Sequence, residues 1–93
     1  MNNIHKTALI GTGYWGSIII KTLIKITNKK IIVYDKKREN SLLLKKRFKS
    51  RIIVAKKNNE IFKNPNIKNI ILSTHPSVNF ELGKKVLNNK KNL

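Results

Sequence analysis

Short apolar runs alternate along the chain with longer segments in which apolar residues return every three or four positions. Apolar runs of about four to eight residues indicate buried strands, whereas the longer spacing indicates amphipathic helices. The pattern predicts strands at residues 4–10, 30–34, 51–55 and 69–73, helices at 14–26, 39–49 and 77–88, and a short helical turn at 59–62. Because strands and helices alternate, we predict an α/β protein with a Rossmann-like, doubly wound parallel sheet that is incomplete, with about four strands and flanking helices.

The apolar residues of the three long helices are the candidates for packing against this sheet. They are Trp15, Ile19, Leu23 and Ile26 in the first helix, Leu42, Leu43 and Phe48 in the second, and Phe80, Leu82, Val86 and Leu87 in the last. Trp15 has a second interpretation, because it lies at the start of its helix, where an aromatic ring can cover a bound ligand.

A glycine-rich motif, Gly11-Thr12-Gly13-Tyr14-Trp15-Gly16, joins the first strand to the first helix. In a dinucleotide site of this G-x-G-x-x-G type, the first glycine permits a tight turn and the second lets the backbone approach a pyrophosphate. The third lets the helix pack closely on the sheet. The free N–H groups and the dipole of the helix then face the phosphates. Thr12 is expected to offer a backbone N–H, and Tyr14 or Trp15 to cover the pyrophosphate.

An acidic residue stands where a ribose-binding carboxylate is expected. Asp35 ends the second strand, 19 residues after Gly16, and the usual separation is about 20 residues. Its carboxylate would accept hydrogen bonds from both adenosine ribose hydroxyls and would repel a 2′-phosphate, so the sequence favours NAD. NADP remains the second choice, because Lys36, Lys37 and Arg38 could neutralise that phosphate.

The chain of 93 residues carries 21 basic and 4 acidic side chains, for a net charge of +17. Such a charge is typical of proteins that bind nucleic acid or anionic membranes. Here the cations are spread over every element after residue 28, and Lys, Asn and Ile are all abundant, as A- and T-rich codons alone would produce. We therefore expect nonspecific, salt-sensitive binding to polyanions and keep a small basic nucleic-acid-binding protein as an alternative function.

Several classes of site and location are not indicated. The sequence has no cysteine, so disulfides and thiolate sites are excluded, and the acidic residues show no metal-ligand spacing. The polar N-terminus lacks the pattern of a signal peptide, and no run of about 20 apolar residues is present. We predict a cytoplasmic protein without a metal site or a membrane span.

The glycine motif, Val33-Tyr34-Asp35 and the segment 59–74 resemble, in order and spacing, the N-terminal nucleotide-binding domain of the Gfo/Idh/MocA oxidoreductases. The resemblance extends over nearly the whole chain. It implies reversible hydride transfer between a sugar-like alcohol and NAD or NADP. The Tyr14-Trp15 pair is similar to that of members acting on sugars and sugar nucleotides.

The resemblance also implies that the loop after the fourth strand, with Thr74, His75 and Pro76, passes the cofactor ribose. The family usually has Thr-Pro-Pro with a histidine three residues later, whereas here His75 replaces one proline and Asn79 the histidine. The family's catalytic lysine lies in a later Glu-Lys-Pro motif, so no catalytic residue is assigned. Residues 1–93 are expected to be a truncated NAD(P)-binding domain, with an inactive remnant as another alternative.

Overall fold

Four parallel strands form one sheet in the order β3-β2-β1-β4. The computed structural model describes residues 7–74, 76–89 and 91. The strands are β1 (Thr7–Ile10), β2 (Ile31–Tyr34), β3 (Ile52–Val54) and β4 (Asn69–Leu72). In the register, Ala8 of β1 is opposite Ile32 of β2 and Ile70 of β4. The parallel pairing confirms the predicted α/β fold class. The strands β2, β3 and β4 are shorter than predicted by one or two residues, and residues 4–6 of the first predicted strand lie outside the described residues.

The connecting segments are helical, as the spacing predicts. They are α1 (Tyr14–Ile26), α2 (Arg38–Phe48), a 3-10 turn (Lys49–Arg51), α3 (Asn59–Phe62) and α4 (Pro76–Asn88). The guanidinium of Arg51 donates hydrogen bonds to the carbonyls of Thr27 and Lys29, which holds Arg51 in the 3-10 turn, so β3 begins one residue later than predicted. Within the described residues, no helix has the length and apolarity needed to span a bilayer.

The core lies on both faces of the sheet. On one face, Leu9 and Val33 pack with Ile20 of α1 and Leu44 of α2. On the other face, Ala8, Ile10 and Ile32 pack with buried residues of α3 and α4, namely Ile61, Phe62 and Val86. Side chains alternate between the faces of a strand, so these short apolar strands fill both layers. The sheet is therefore covered by helices on both sides, as a doubly wound fold requires.

Several helical residues expected to pack on the sheet do not. Trp15 and Ile26 are 68% and 73% exposed, whereas Gly16 and Ile20 are buried. The closest contact of α1 with the sheet runs through Gly16 and Ile20, and the predicted residues Ile19 and Leu23 pack partly buried against the same core. In α2, Leu42 and Leu43 are exposed and Leu44 is buried, because the narrow contact line passes through residues 41 and 44.

The last helix follows the prediction in part. In α4, Val86 is buried and Leu82 is half-buried, whereas Leu87 is exposed. The side chain of Phe80 lies outside the described residues. Val86 therefore supplies the central contact of α4 with the sheet.

A buried lysine ties the end of the described chain to the segment before β4. Lys91 is only 8% exposed, and its ammonium donates hydrogen bonds of 2.6 Å to the carbonyls of Asn64 and Ile67. Burial, and then repulsion from Lys68, lower the pKa of this ammonium. The contacts give a donor to the Ile67 carbonyl and a second donor to the Asn64 carbonyl, which also accepts a hydrogen bond from the Ile67 N–H at 3.2 Å.

We expect Lys91→Met to lower the free energy of unfolding by about 1–3 kcal/mol, because two buried hydrogen bonds from the ammonium to backbone carbonyls are lost. Since the unfolded lysine has the higher pKa, it binds more protons than the folded one as the pH approaches 10.5. The free energy of unfolding of the wild type therefore rises with pH in this range. Lys91→Met lacks this contribution, so the difference in the free energy of unfolding between the two proteins widens. Urea unfolding at about pH 7 and pH 9.5 measures both effects.

The matched control is Lys68→Met, which removes the repulsion and leaves both hydrogen bonds of Lys91 in place. This variant should be as stable as the wild type or slightly more stable. A stability gap between wild type and Lys91→Met that narrows with rising pH would contradict the assigned direction of the pKa.

Candidate functional site

The loops that follow the strands meet at the carboxyl end of the sheet, near its central strands. The strand order places β1 between β2 and β4, and the helices that follow β1 and β4 cover opposite faces. This is a topological switch point, where a crevice opens outside the strand ends. The loops are hydrogen-bonded there, because Gly11 N–H donates to the Tyr34 carbonyl and Ser73 N–H donates to the Ile10 carbonyl, each at 2.8 Å.

Two of the three glycines in the motif are required by contacts within the chain. Gly11 has a φ of +97°, and a Cβ there would lie 2.4 Å from the Ser73 carbonyl oxygen. A Cβ on Gly16 would lie 2.3 Å from the Gly11 carbonyl oxygen. Neither overlap is tolerable, so a side chain at either position would displace the backbone. These glycines set how closely β1, β4 and α1 approach one another.

Gly13 differs from the other two. Its φ of −73° does not demand glycine, and a Cβ placed on it would meet no atom of the described structure within 4 Å. The space in front of Gly13 is thus a cradle that a side chain would fill. The packing of this chain does not account for glycine there, whereas a ligand that approaches the backbone would.

The open space lies at the start of α1. Among the described residues, no side chain caps this helix and no acidic residue stands in its first turn. The first N–H groups of a helix have no partner within it, and its dipole places partial positive charge at that end. The arrangement suits an anion such as a phosphate.

The half-buried Asp35 connects the loops after β1 and β2. Its Oδ2 accepts hydrogen bonds from the Thr12 N–H at 2.7 Å and the Thr12 hydroxyl at 3.0 Å, and its Oδ1 accepts one from the Lys37 N–H at 2.8 Å. Each carboxylate oxygen has two acceptor positions, so one remains on Oδ1. The expected pair of ribose contacts is thereby reduced to one open acceptor, and the Thr12 N–H expected for phosphate is engaged by Asp35.

The two aromatic residues of the motif stand in solvent beside this loop. Tyr14 and Trp15 are 75% and 68% exposed, with ring centroids 5.5 Å apart in an edge-to-face arrangement. Trp15 therefore does not pack on the sheet. Both rings are free to cover a ligand at the start of α1.

The loop after β4 borders the same crevice. Thr74 lies against Gly11. A Cβ placed on Gly11 would lie 2.8 Å from the methyl group of Thr74. The Thr74 hydroxyl donates a hydrogen bond to Oδ1 of Asn79. Pro76 begins α4, and His75 lies outside the described residues.

A second carboxylate binds the loop after β3, and the sequence analysis did not include it in the site. The carboxylate of Glu60 accepts hydrogen bonds from the backbone N–H groups of Lys56 and Lys57, each at 3.0 Å. These lysines follow β3, the neighbour of β2, so they stand at the same edge as Asp35. The sequence does contain a pattern that relates the two loops, because β2 and β3 are both followed within two residues by Lys-Lys.

Comparison of the chain with family models, curated proteins and solved structures finds no match. The chemistry of this edge is therefore inferred from its own residues and geometry.

Proposed function

We propose that this chain binds NAD or NADP at the carboxyl edge of its sheet, as the dinucleotide-binding part of a Gfo/Idh/MocA-type oxidoreductase. The observation that carries the proposal is the open space at Gly13, in front of an uncapped helix and next to the Asp35 carboxylate. A pyrophosphate in that space would accept hydrogen bonds from the first N–H groups of α1. The adenosine ribose would donate one hydroxyl hydrogen bond to Oδ1 of Asp35.

The proposed reaction follows from the resemblance, in which the cofactor would exchange a hydride with a sugar or sugar-nucleotide alcohol. The cytoplasm is the proposed location, as the composition of the sequence leads us to expect. The exposed Tyr14 and Trp15 support a role in covering the cofactor. No residue of this chain is proposed as catalytic.

Gly13→Ala tests the proposal because it fills the ligand space without touching the protein. We expect the dissociation constant for NADH to rise by about 30-fold, the loss of one charge-assisted hydrogen bond of about 2 kcal/mol. Stability should change by less than about 1 kcal/mol, since alanine is only a poorer N-cap than glycine. Calorimetric titration at about 0.15 M salt, which screens surface charge, gives the affinity.

Thr22→Ala is the matched control, because Thr22 is exposed on α1 but lies two turns beyond the glycine motif. It should bind NADH as the wild type does. Weak NADH binding that fades with salt and is equal in the wild type and both variants would instead mean that the net charge alone attracts anions. That result would favour the polyanion-binding alternative.

A further inference from the structure

We propose that the outer face of α1 and α2 binds the surface of an anionic lipid bilayer. The proposal is independent of the nucleotide site, because it concerns the side of these helices that is turned away from the sheet. Two sets of residues define this face. The outer patch consists of Tyr14, Trp15 and Ile18 of α1 and Leu43 of α2, and the patch cations are Lys21 and Lys25 of α1 and Lys46 and Arg47 of α2.

The residues of the outer patch lie together. Tyr14 and Leu43 line one groove of about 300 Å³ between the two helices. The ring centroids of Tyr14 and Trp15 are 5.5 Å apart. Ile18 stands four residues after Tyr14, so it lies one turn further along the same side of α1. The outer patch is therefore continuous across both helices.

The outer patch is turned to solvent. Gly16 and Ile20 are the buried residues of α1, and residues two positions away from them lie on nearly the opposite side of a helix with 3.6 residues per turn. Ile18 is 39% exposed and Leu43 is 64% exposed, and the two aromatic residues are more exposed still. A contiguous exposed apolar patch of this kind marks a site of interaction with another protein or a membrane.

Each helix also presents cations on the side that carries its part of the outer patch. Lys21 and Lys25 stand about two turns after Tyr14 and Ile18 in α1, and Lys46 and Arg47 stand about one turn after the leucine of the patch in α2. All four cations are exposed. The sequences of the two helices contain a single acidic residue, in the first turn of α2. The face therefore combines apolar side chains with an excess of positive charge.

An anionic bilayer matches both properties. Its headgroups attract basic side chains, and each lysine or arginine near the surface strengthens binding by about fivefold. Apolar side chains gain by leaving water for the boundary between headgroups and acyl chains. Tryptophan and tyrosine favour that boundary, because their rings are apolar and carry a polar group.

Other occupants account for less of the face. A single-stranded nucleic acid would use the patch cations and stack its bases on Tyr14 and Trp15, but the aliphatic side chains of Ile18 and Leu43 offer no stacking surface. A second copy of the chain would bring like charges together, since each copy carries a net charge of +17. The bilayer is the partner that suits the aromatic, aliphatic and cationic side chains together.

The fluorescence of Trp15 tests the proposal directly, because Trp15 is the only tryptophan of the chain. The protein is titrated with vesicles of phosphatidylcholine that contain about 30% phosphatidylserine, and with vesicles of phosphatidylcholine alone. We expect Trp15 emission to move to shorter wavelength with the anionic vesicles. Binding to them should be tighter by about a hundredfold or more, because four cations contribute.

Leu43→Ser tests the outer patch, with Leu87→Ser as the matched control. Leu87 is 65% exposed and lies on α4, which covers the opposite face of the sheet. Both substitutions replace an exposed helical leucine and leave the net charge unchanged. We expect Leu43→Ser to weaken binding to the anionic vesicles by about fivefold, from partial loss of apolar burial, and Leu87→Ser to bind as the wild type does.

Four results would overturn the inference. The first is vesicle sedimentation that is equal in both variants and leaves Trp15 emission unchanged, since net charge alone would then act. The second is equal binding to both kinds of vesicle. The third is a Trp15 shift that grows with protein concentration without lipid, which would indicate self-association. The fourth is quenching of Trp15 by a single-stranded oligonucleotide while vesicles leave it unchanged.

The two proposals are tested separately although Tyr14 and Trp15 also border Gly13. The vesicle titrations are made without nucleotide, and the NADH titrations are made without lipid. Loss of vesicle binding would leave the nucleotide site untouched, and failure of NADH to bind would leave the bilayer surface untouched.

Discussion

Gly11→Ala is expected to remove a large part of the stability of the fold. At a φ of +97°, alanine is strained, and its Cβ would lie 2.4 Å from the Ser73 carbonyl oxygen and 2.6 Å from the carbonyl carbon. Strain and overlap together should cost about 3–5 kcal/mol. A domain of 93 residues has a free energy of unfolding of roughly 5–14 kcal/mol. Urea unfolding followed by circular dichroism measures the loss.

The other glycines of the motif provide graded controls. Gly16→Ala would normally stabilise a helix by about 1 kcal/mol, but its Cβ would meet the Gly11 carbonyl oxygen, so we expect a net loss of about 2 kcal/mol. Gly13→Ala, which meets nothing, should be nearly neutral. A Gly11→Ala protein as stable as Gly13→Ala would show that the Ser73 carbonyl yields easily and that β4 is loosely held.

Asp35→Ala is expected to impair both the fold and nucleotide binding. The change removes the acceptor of three hydrogen bonds from Thr12 and Lys37. We expect a loss of stability of about 2–4 kcal/mol, because these bonds are charge-assisted and two of the donors are backbone amides. The dissociation constant for NADH should rise by about 100-fold, from the lost ribose contact and the released loop. Urea unfolding and calorimetric titration measure the two effects.

Thr12→Val separates the two causes. Thr12 is only 4% exposed, and valine has a similar shape, so the variant loses the hydroxyl bond to Oδ2 while keeping the N–H bond and the open position on Oδ1. We expect a stability loss of about 1 kcal/mol and nearly unchanged NADH affinity. If Thr12→Val weakened NADH binding as strongly as Asp35→Ala, loop placement rather than ribose contact would be the role of Asp35.

Much of the fold could be predicted from the sequence because its signals are local. The apolar runs and helical spacings lie within single elements, and their alternation implies parallel strands. The helix at Tyr14–Ile26 has the predicted bounds. The glycines and Asp35 could be proposed as a site because the glycine motif lies within one strand-turn-helix unit and Asp35 follows the next strand at the expected separation.

The faces of the helices could not be predicted in the same way. Trp15 and Ile20 both fit an apolar stripe, and only the contact of Gly16 with the Gly11 carbonyl decides which one turns inward. Leu42, Leu43 and Leu44 are equally apolar neighbours, yet only Leu44 is buried. The polar tail likewise gives no sign that Lys91 is buried against the carbonyls of Asn64 and Ile67.

The sequence by itself determined the order of the elements, the class of the fold and the spacing of the candidate site, because these depend on periodicity and on residues close in the chain. The tertiary structure alone decided that Thr12 engages Asp35, that Gly13 faces open space and that Lys56 follows β3 beside Asp35. These relations join residues far apart in the chain. They arise only when parallel pairing brings the carboxyl ends of separate strands to one edge, where hydrogen bonds and free charges are distributed among the loops.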